Sequence, residues 1–260
     1  MRDSPQMQRV FSMMTALNDL LAERPESEMA VLPRDVERII TYGLEIPIIR
    51  MSPLTIRAAF RYLCILGGEA RSPVISVADR RLYGLLHIGP PCNIIFIRDH
   101  LSPQAHNYVL AHELGHFLAD VFRVQQLWRK SLPEQKDAIE RAFAWRECDA
   151  RLELYGFIKG LPPRPKEIMN RGQAISPETV EREIQADLFA RELIAPWDVV
   201  SPLCQSNDQS QFVTLLYEEF QLPRRIAGSY FEDLRHYLAP QPNAIEELFS
   251  ALLASSDKRR

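Results

Sequence analysis

The sequence has no paired cysteines. Its four, Cys64, Cys92, Cys148 and Cys204, are scattered with no CxxC spacing, so neither a zinc ribbon nor a disulfide framework is suggested. Free thiols of this kind fit a reducing cytosol. An excess of positive charge is missing too. Lys and Arg number 31 against 34 Asp and Glu, a formal net charge of −3, which argues against wholesale coating of nucleic acid and leaves room only for a local basic patch. No run approaches the roughly 18 apolar residues of a membrane span. Residues 1–10 are polar, without the apolar centre of a signal peptide. There is no internal repeat and no low-complexity tract. The expectation is a soluble, cytoplasmic protein that does not engage membranes.

What is present is enough for a proper core: 260 residues, 46% hydrophobic and 25% charged, make one large domain or two small ones. Residues 5–24 carry Val10, Met13, Met14, Leu17, Leu20 and Leu21 at helical spacing, and Arg24-Pro25 ends that helix. A second helix is expected over 33–44. A third is expected from Ser52-Pro53, as N-cap and first turn, to Gly67-Gly68. The character then changes. Short β-branched or alternating stretches at 74–77, 82–88 and 93–98, punctuated by Gly89-Pro90-Pro91, predict three strands. Ser102-Pro103 opens a helix to about 128, and 133–156 reads as helical. A proline-rich loop occupies 161–165, and Ser176-Pro177-Glu178 caps a helix reaching Ala195-Pro196. Two further helices span about 209–220 and 224–238. Helices, a small sheet, then helices: an α+β arrangement.

The chemistry sits in His112-Glu113-Leu114-Gly115-His116, an HExxH motif inside the helix that Ser102 opens. Residues four apart lie about 40° from one another around a helix, one turn up, so both imidazoles can grip one ion. Neutral imidazole suits zinc. Glu113, beside the first ligand, is free to act as general base on water while the metal polarises a substrate carbonyl. Leu110, Leu114 and Phe117 place an apolar face beside this triplet. Two histidines leave zinc a protein ligand short. Ala119 and Phe122 stand where a metzincin needs glycine and histidine, which excludes that class. Glu183 and Asp187, i and i+4 on a later helix, offer a carboxylate, one to bind the metal and the other to orient a histidine. An ordinary solvated acidic face, with Glu178 and Glu181 nearby, is the competing explanation.

The run Tyr108-Val109-Leu110-Ala111-His112-Glu113-Leu114-Gly115-His116 resembles the aromatic-x-x-Ala-His-Glu-Leu-Gly-His block of the ImmA/IrrE metallopeptidase family. Glu183-Ile184-Gln185-Ala186-Asp187-Leu188-Phe189-Ala190, followed by Leu193-Ile194-Ala195-Pro196, is similar to its second block, with Asp187 where that family usually has Asn. The resemblance covers roughly 70–238. It implies a zincin-like fold, a small three-stranded sheet packed against a largely helical body with HExxH on the central helix. It also implies one Zn2+ held by His112, His116 and Glu183. The division expected is an N-terminal helical region over 1–68, a peptidase domain over 69–240 and a C-terminal helix and basic tail over 241–260. The gap between His116 and Glu183 exceeds the family's usual spacing, so 130–175 reads as an inserted helix and loop. The family's members are intracellular proteases that cut helix-turn-helix repressors in stress, DNA-damage or phage-defence responses. The resemblance therefore implies such a repressor as protein substrate.

Two rival readings remain. Residues 209–237 have helix-turn-helix rhythm, with Arg224, Arg225 and Arg235 as phosphate contacts, or else form a helical hairpin packed on the peptidase. Zinc could also serve a sensor without proteolysis, although Glu113 argues for a base. Two regulatory features are expected beside the site. Arg57, Arg61, Arg71, Arg80 and Arg81 offer a basic patch for single-stranded nucleic acid as activator. Cys92, just before the strand that leads to the zinc helix, offers a thiolate to occupy the metal's open position as an inhibitory ligand. The group that steadies the oxyanion is not identified; Tyr108, Tyr155 or one of His87, His100, His106 and His236 would serve.

Overall fold

The computed structural model describes residues 4–22, 31–66, 81–88, 92–119, 134 and 177–238. In chain order these form α1 (Pro5–Leu21), α2 (Val36–Arg38) running into a wide π-helical turn (Ile39–Gly43), β1 (Ile48–Met51), α3 (Ile56–Leu66), β2 (Gly84–His87), β3 (Ile94–Arg98), α4 (Pro103–Phe117), α5 (Pro177–Ile194), α6 (Trp197–Ser206), α7 (Gln209–Glu218) and α8 (Arg224–Leu238). This is the expected α+β arrangement, mostly helical with a small three-stranded sheet.

The sheet runs β1-β3-β2, with β1 parallel and β2 antiparallel to the central β3. Ile94, Ile95, Phe96 and Ile97 are all buried, which suits a central strand covered on both faces. Alternation splits them between two cores. Ile95, Ile97 and Leu86 face the large core built by α1, α4, α5 and the C-terminal helices. Ile94, Phe96 and Leu85 face a smaller one built by α3 with Leu54 and Leu82. The sheet thus separates α3 from α4.

Local boundaries follow from caps. In α1, Ser4 accepts from the Met7 amide at 3.2 Å and Pro5 takes the first turn. Its buried stripe of Met7, Val10, Met13, Leu17 and Leu21 packs on α5. The third helix begins later than Ser52-Pro53 suggested. The chain stays extended to bridge Thr55 with Arg81 and to pair the Leu54 carbonyl with the Leu82 amide, so Thr55 caps instead, accepting from the Ala58 amide at 3.1 Å. Two elements were not anticipated: β1 and α6. The strand expected at 74–77, the helix at 133–156 and the insertion at 130–175 (Glu134 apart), and the tail at 241–260 lie outside the described residues. Among the described residues no helix is long and apolar enough to cross a membrane.

Candidate metal centre

Ser102 caps α4 by accepting from the Ala105 amide at 3.2 Å, with Pro103 in the first turn. From Asn107 to Phe117 every residue of this helix is buried. An all-round buried helix is normally apolar; this one carries His112, Glu113 and His116 at 1%, 0% and 2% exposure. Burying three ionisable groups is costly unless each is matched. The matching groups come from α5, whose Ala186, Phe189, Ala190 and Leu193 are buried against the core. The two helices approach closely. A Cβ on Gly115 would lie 3.1 Å from both Ala186 Cα and Phe189 Cδ1, so any larger residue there would press the two helices apart by a few tenths of an ångström.

That seat brings Glu183 over the histidines. His112 Nε2 lies 3.1 Å from His116 Nε2 and 3.4 Å from Glu183 Oε2, and His116 Nε2 lies 3.7 Å from Glu183 Oε1. The three residues form one group of donor atoms suited to a metal ion. Bonds of about 2.0–2.1 Å at tetrahedral angles set donor atoms about 3.4 Å apart, so the residues fit a zinc-sized ion with small side-chain adjustments.

The electrostatics point the same way. Burial alone would push the His112 imidazole down, but hydrogen bonds to Asp187 and Glu183 and the Glu113 charge outweigh it and lift the pKa to about 10. The pocket favours a cation. Asp187 Oδ1 lies 2.9 Å from His112 Nδ1 and accepts the Tyr108 hydroxyl at 2.7 Å. Burial is the largest influence and works against the Asp187 charge, but the hydrogen bond and charge of His112, the Tyr108 hydroxyl and the Arg191 charge together outweigh it and hold its pKa below the ordinary carboxylate value. An ionised Asp187 fixes the proton on Nδ1, which leaves the Nε2 lone pair of the neutral ring facing the donor cluster. Glu113 is different. Neither of its buried oxygens has a hydrogen-bond partner, and burial, opposed by the His112 charge, raises its pKa to about 8. A carboxylate so placed is a base tuned toward neutral pH.

One contributor escaped the sequence reading. A Cβ on Gly84 would meet Glu113 Oε1 and sit 2.6 Å from Val109 Cγ1, so β2 lies directly on the helix at the base. An isolated glycine in a strand is a signal for such close approach.

The remaining candidates fall elsewhere. Cys92 packs with the smaller core of Leu85, Ile94 and Phe96, on the α3 side of the sheet, and supplies no donor atom to the cluster. It stands two residues before β3, packed on the side of the sheet away from α4, and gives the inhibitory ligand no support. Arg57 and Arg61 are exposed on α3, with Arg81 exposed and bridged to its first turn; Arg71 and Arg80 lie outside the described residues. Tyr108 is committed to Asp187. His100 neighbours Asp99, His106 meets Glu37 at 2.8 Å and His236 stacks on Tyr237, while His87 sits at the end of β2 and Tyr155 is not described. In the α7–α8 hairpin Phe212, Leu216, Ala227, Tyr230, Phe231 and Leu234 belong to the large core. Arg224 lies over Tyr217 and Arg235 over Phe231. That is the packed hairpin.

Residues 77–144 match the family model Peptidase_M78, the IrrE N-terminal-like domain. The match contains His112, Glu113 and His116 and ends before Glu183. No curated protein and no solved structure matches the chain.

Proposed function

We propose that this chain, whose residues 77–144 match the IrrE N-terminal-like family model, is a zinc-dependent endopeptidase of the ImmA/IrrE type that cleaves a partner helix-turn-helix repressor in a stress, DNA-damage or phage-defence response. The observation that carries the zinc reading is the convergence of His112, His116 and Glu183 beside a fully buried, unpaired Glu113. Zinc, when bound, supplies a Lewis acid that polarises the scissile carbonyl. The chain's own residues do the rest. Glu113 takes a proton from the attacking water and passes it to the departing amine. Asp187 holds His112 in the tautomer that presents Nε2.

Among the described residues β2 is a sheet edge. An extended peptide pairing with that edge would bring its carbonyls past Glu113, because Gly84 lets β2 lie directly against that residue. The repressor as substrate rests on the family resemblance alone. A non-proteolytic zinc protein would have no use for a base buried against its ligands.

Metal analysis and cleavage assays of the purified chain test this. Glu113→Gln keeps zinc and loses cleavage, whereas His112→Ala and Glu183→Ala lose zinc. Full zinc content in Glu183→Ala would move the third ligand elsewhere. Incubation with casein and with the repressor encoded beside the enzyme tests the substrate; rapid, unselective digestion of casein would refute limited proteolysis.

A further inference from the structure

Asp187 orients His112, but its own side chain is 29% exposed, and solvent competes for any carboxylate so placed. Two groups oppose that competition. Tyr108, one turn before His112 on α4, donates to the same Oδ1 that meets His112 Nδ1. Arg191, one turn after Asp187 on α5, has a side chain only 12% exposed. Its Nη1 meets Asp233 Oδ2 at 2.5 Å and its Nη2 meets Ser229 Oγ at 2.9 Å, both on α8. Its Nε is buried and has no hydrogen-bond partner, so α8 does not exhaust this guanidinium. The field of Arg191 reaches Asp187 and Tyr108, acting to lower the pKa of each.

Resting on the reading of His112 as a metal ligand, we propose that Tyr108 and Arg191 are positioning residues for it. Tyr108 locks the Asp187 oxygen against Nδ1, and Arg191, moored to α8 by Asp233 and Ser229, supplies the positive charge that keeps this carboxylate on the site. Aspartate at 187 fits both neighbours. One carboxylate oxygen accepts from Tyr108 and His112 together, and its charge answers Arg191, which an uncharged amide would not do. Metal affinity is then set partly by the seat of α8, three helices away from the donor atoms in sequence. Losing a partner that orients a metal-binding histidine typically weakens the metal about 10–100-fold.

The test is the zinc dissociation constant of the full chain, measured by competition with a chromophoric chelator, together with the melting temperature of the metal-free protein. Tyr108→Phe keeps the ring and removes only the hydroxyl. It is expected to weaken zinc about tenfold or more while the metal-free protein still folds, and to change nothing in an Asp187→Ala background. Wild-type affinity in Tyr108→Phe, or an equal loss in the Asp187→Ala background, would overturn the proposal. Arg191→Met is expected to weaken zinc likewise. If that variant does not fold, Arg191→Lys carries the test: near-wild-type affinity supports the charge role, and a loss as large as that of Asp187→Ala overturns it. His112→Ala and Glu183→Ala are measured alongside. If these two bind zinc as wild type does, the metal centre itself is wrong. If they lose it and Tyr108→Phe does not, only the positioning role fails.

Discussion

Replacing Gly84 by alanine tests whether β2 lies against the catalytic base. The added methyl would sit 2.6 Å from Val109 Cγ1 and closer still to Glu113 Oε1, where carbon atoms normally stand about 3.5–4.0 Å apart. Neither neighbour can give way, since Val109 is 3% and Glu113 0% exposed. The strand must therefore retreat from α4 by about 1 Å. Overpacking of this kind costs about 1–3 kcal/mol, which lowers the melting temperature by roughly 3–10 °C in a domain of this size. A misplacement of about 1 Å costs about a hundredfold in rate. The metal donors come from α4 and α5, so zinc content stays at the wild-type level. The assay pairs melting temperature and zinc content with kcat/KM for repressor cleavage. Gly228→Ala in α8 is the control, because a Cβ there meets nothing within 4 Å and alanine favours a helix by about 1 kcal/mol. A Gly84→Ala enzyme as stable and as active as wild type would refute the placement of β2.

Titration gives further predictions. Zinc must displace the proton that the metal-free site holds on His112, whose pKa is raised to about 10, so apparent zinc affinity rises with pH through neutrality; affinity independent of pH would refute this. In the metal-free protein His112 contributes stability in full below its ordinary 6.5 and loses it as pH rises toward 10. Glu113, raised from 4.5 to about 8, loses its contribution over that earlier window. Both act in the same direction, so the metal-free melting temperature falls as pH rises from 5 to 9, and a rise would refute the burial of this pair. Cys92→Ala leaves cleavage unchanged, as its place in the smaller core requires; cleavage released from control by that substitution would return the thiol to the site.

Periodicity and caps carried most of the helical fold. Ser102 and the apolar stripe of α1 lie where the sequence places them, because capping and amphipathicity are local. What escaped were elements whose reason is tertiary. Strand β1 is four residues long and exists because Ile48, Ile49 and Arg50 pair with β3; the Ser52-Pro53 turn that ends it reads from the sequence as the start of a helix. Helix α6 starts directly after Pro196 and contains Pro202, so proline reads as a terminator although Val200 and Cys204 bury a full turn beyond it. Cys92 illustrates the same point: nearness along the chain put it by the metal helix, while its packing is with the smaller core. The arginines of the hairpin illustrate the converse, since their charge suggested phosphates and the rings beneath Arg224 and Arg235 account for them.

The candidate metal site was legible because the unlettered positions of its two motifs are packing instructions. In His-Glu-Leu-Gly-His, leucine anchors the helix in the large core and glycine opens the gap that Ala186 and Phe189 fill. In Glu-Ile-Gln-Ala-Asp, alanine is the matching small residue on the other helix. Facing small residues let two helix backbones approach closely, and that approach allows the short side chain of Asp187 to reach His112 at 2.9 Å while Glu183 reaches both imidazoles. A long segment separates the two helices in the chain, so connectivity does not set their distance. The contact does. The two motifs are halves of one interface, and the donor geometry is a consequence of how Gly115 and Ala186 meet.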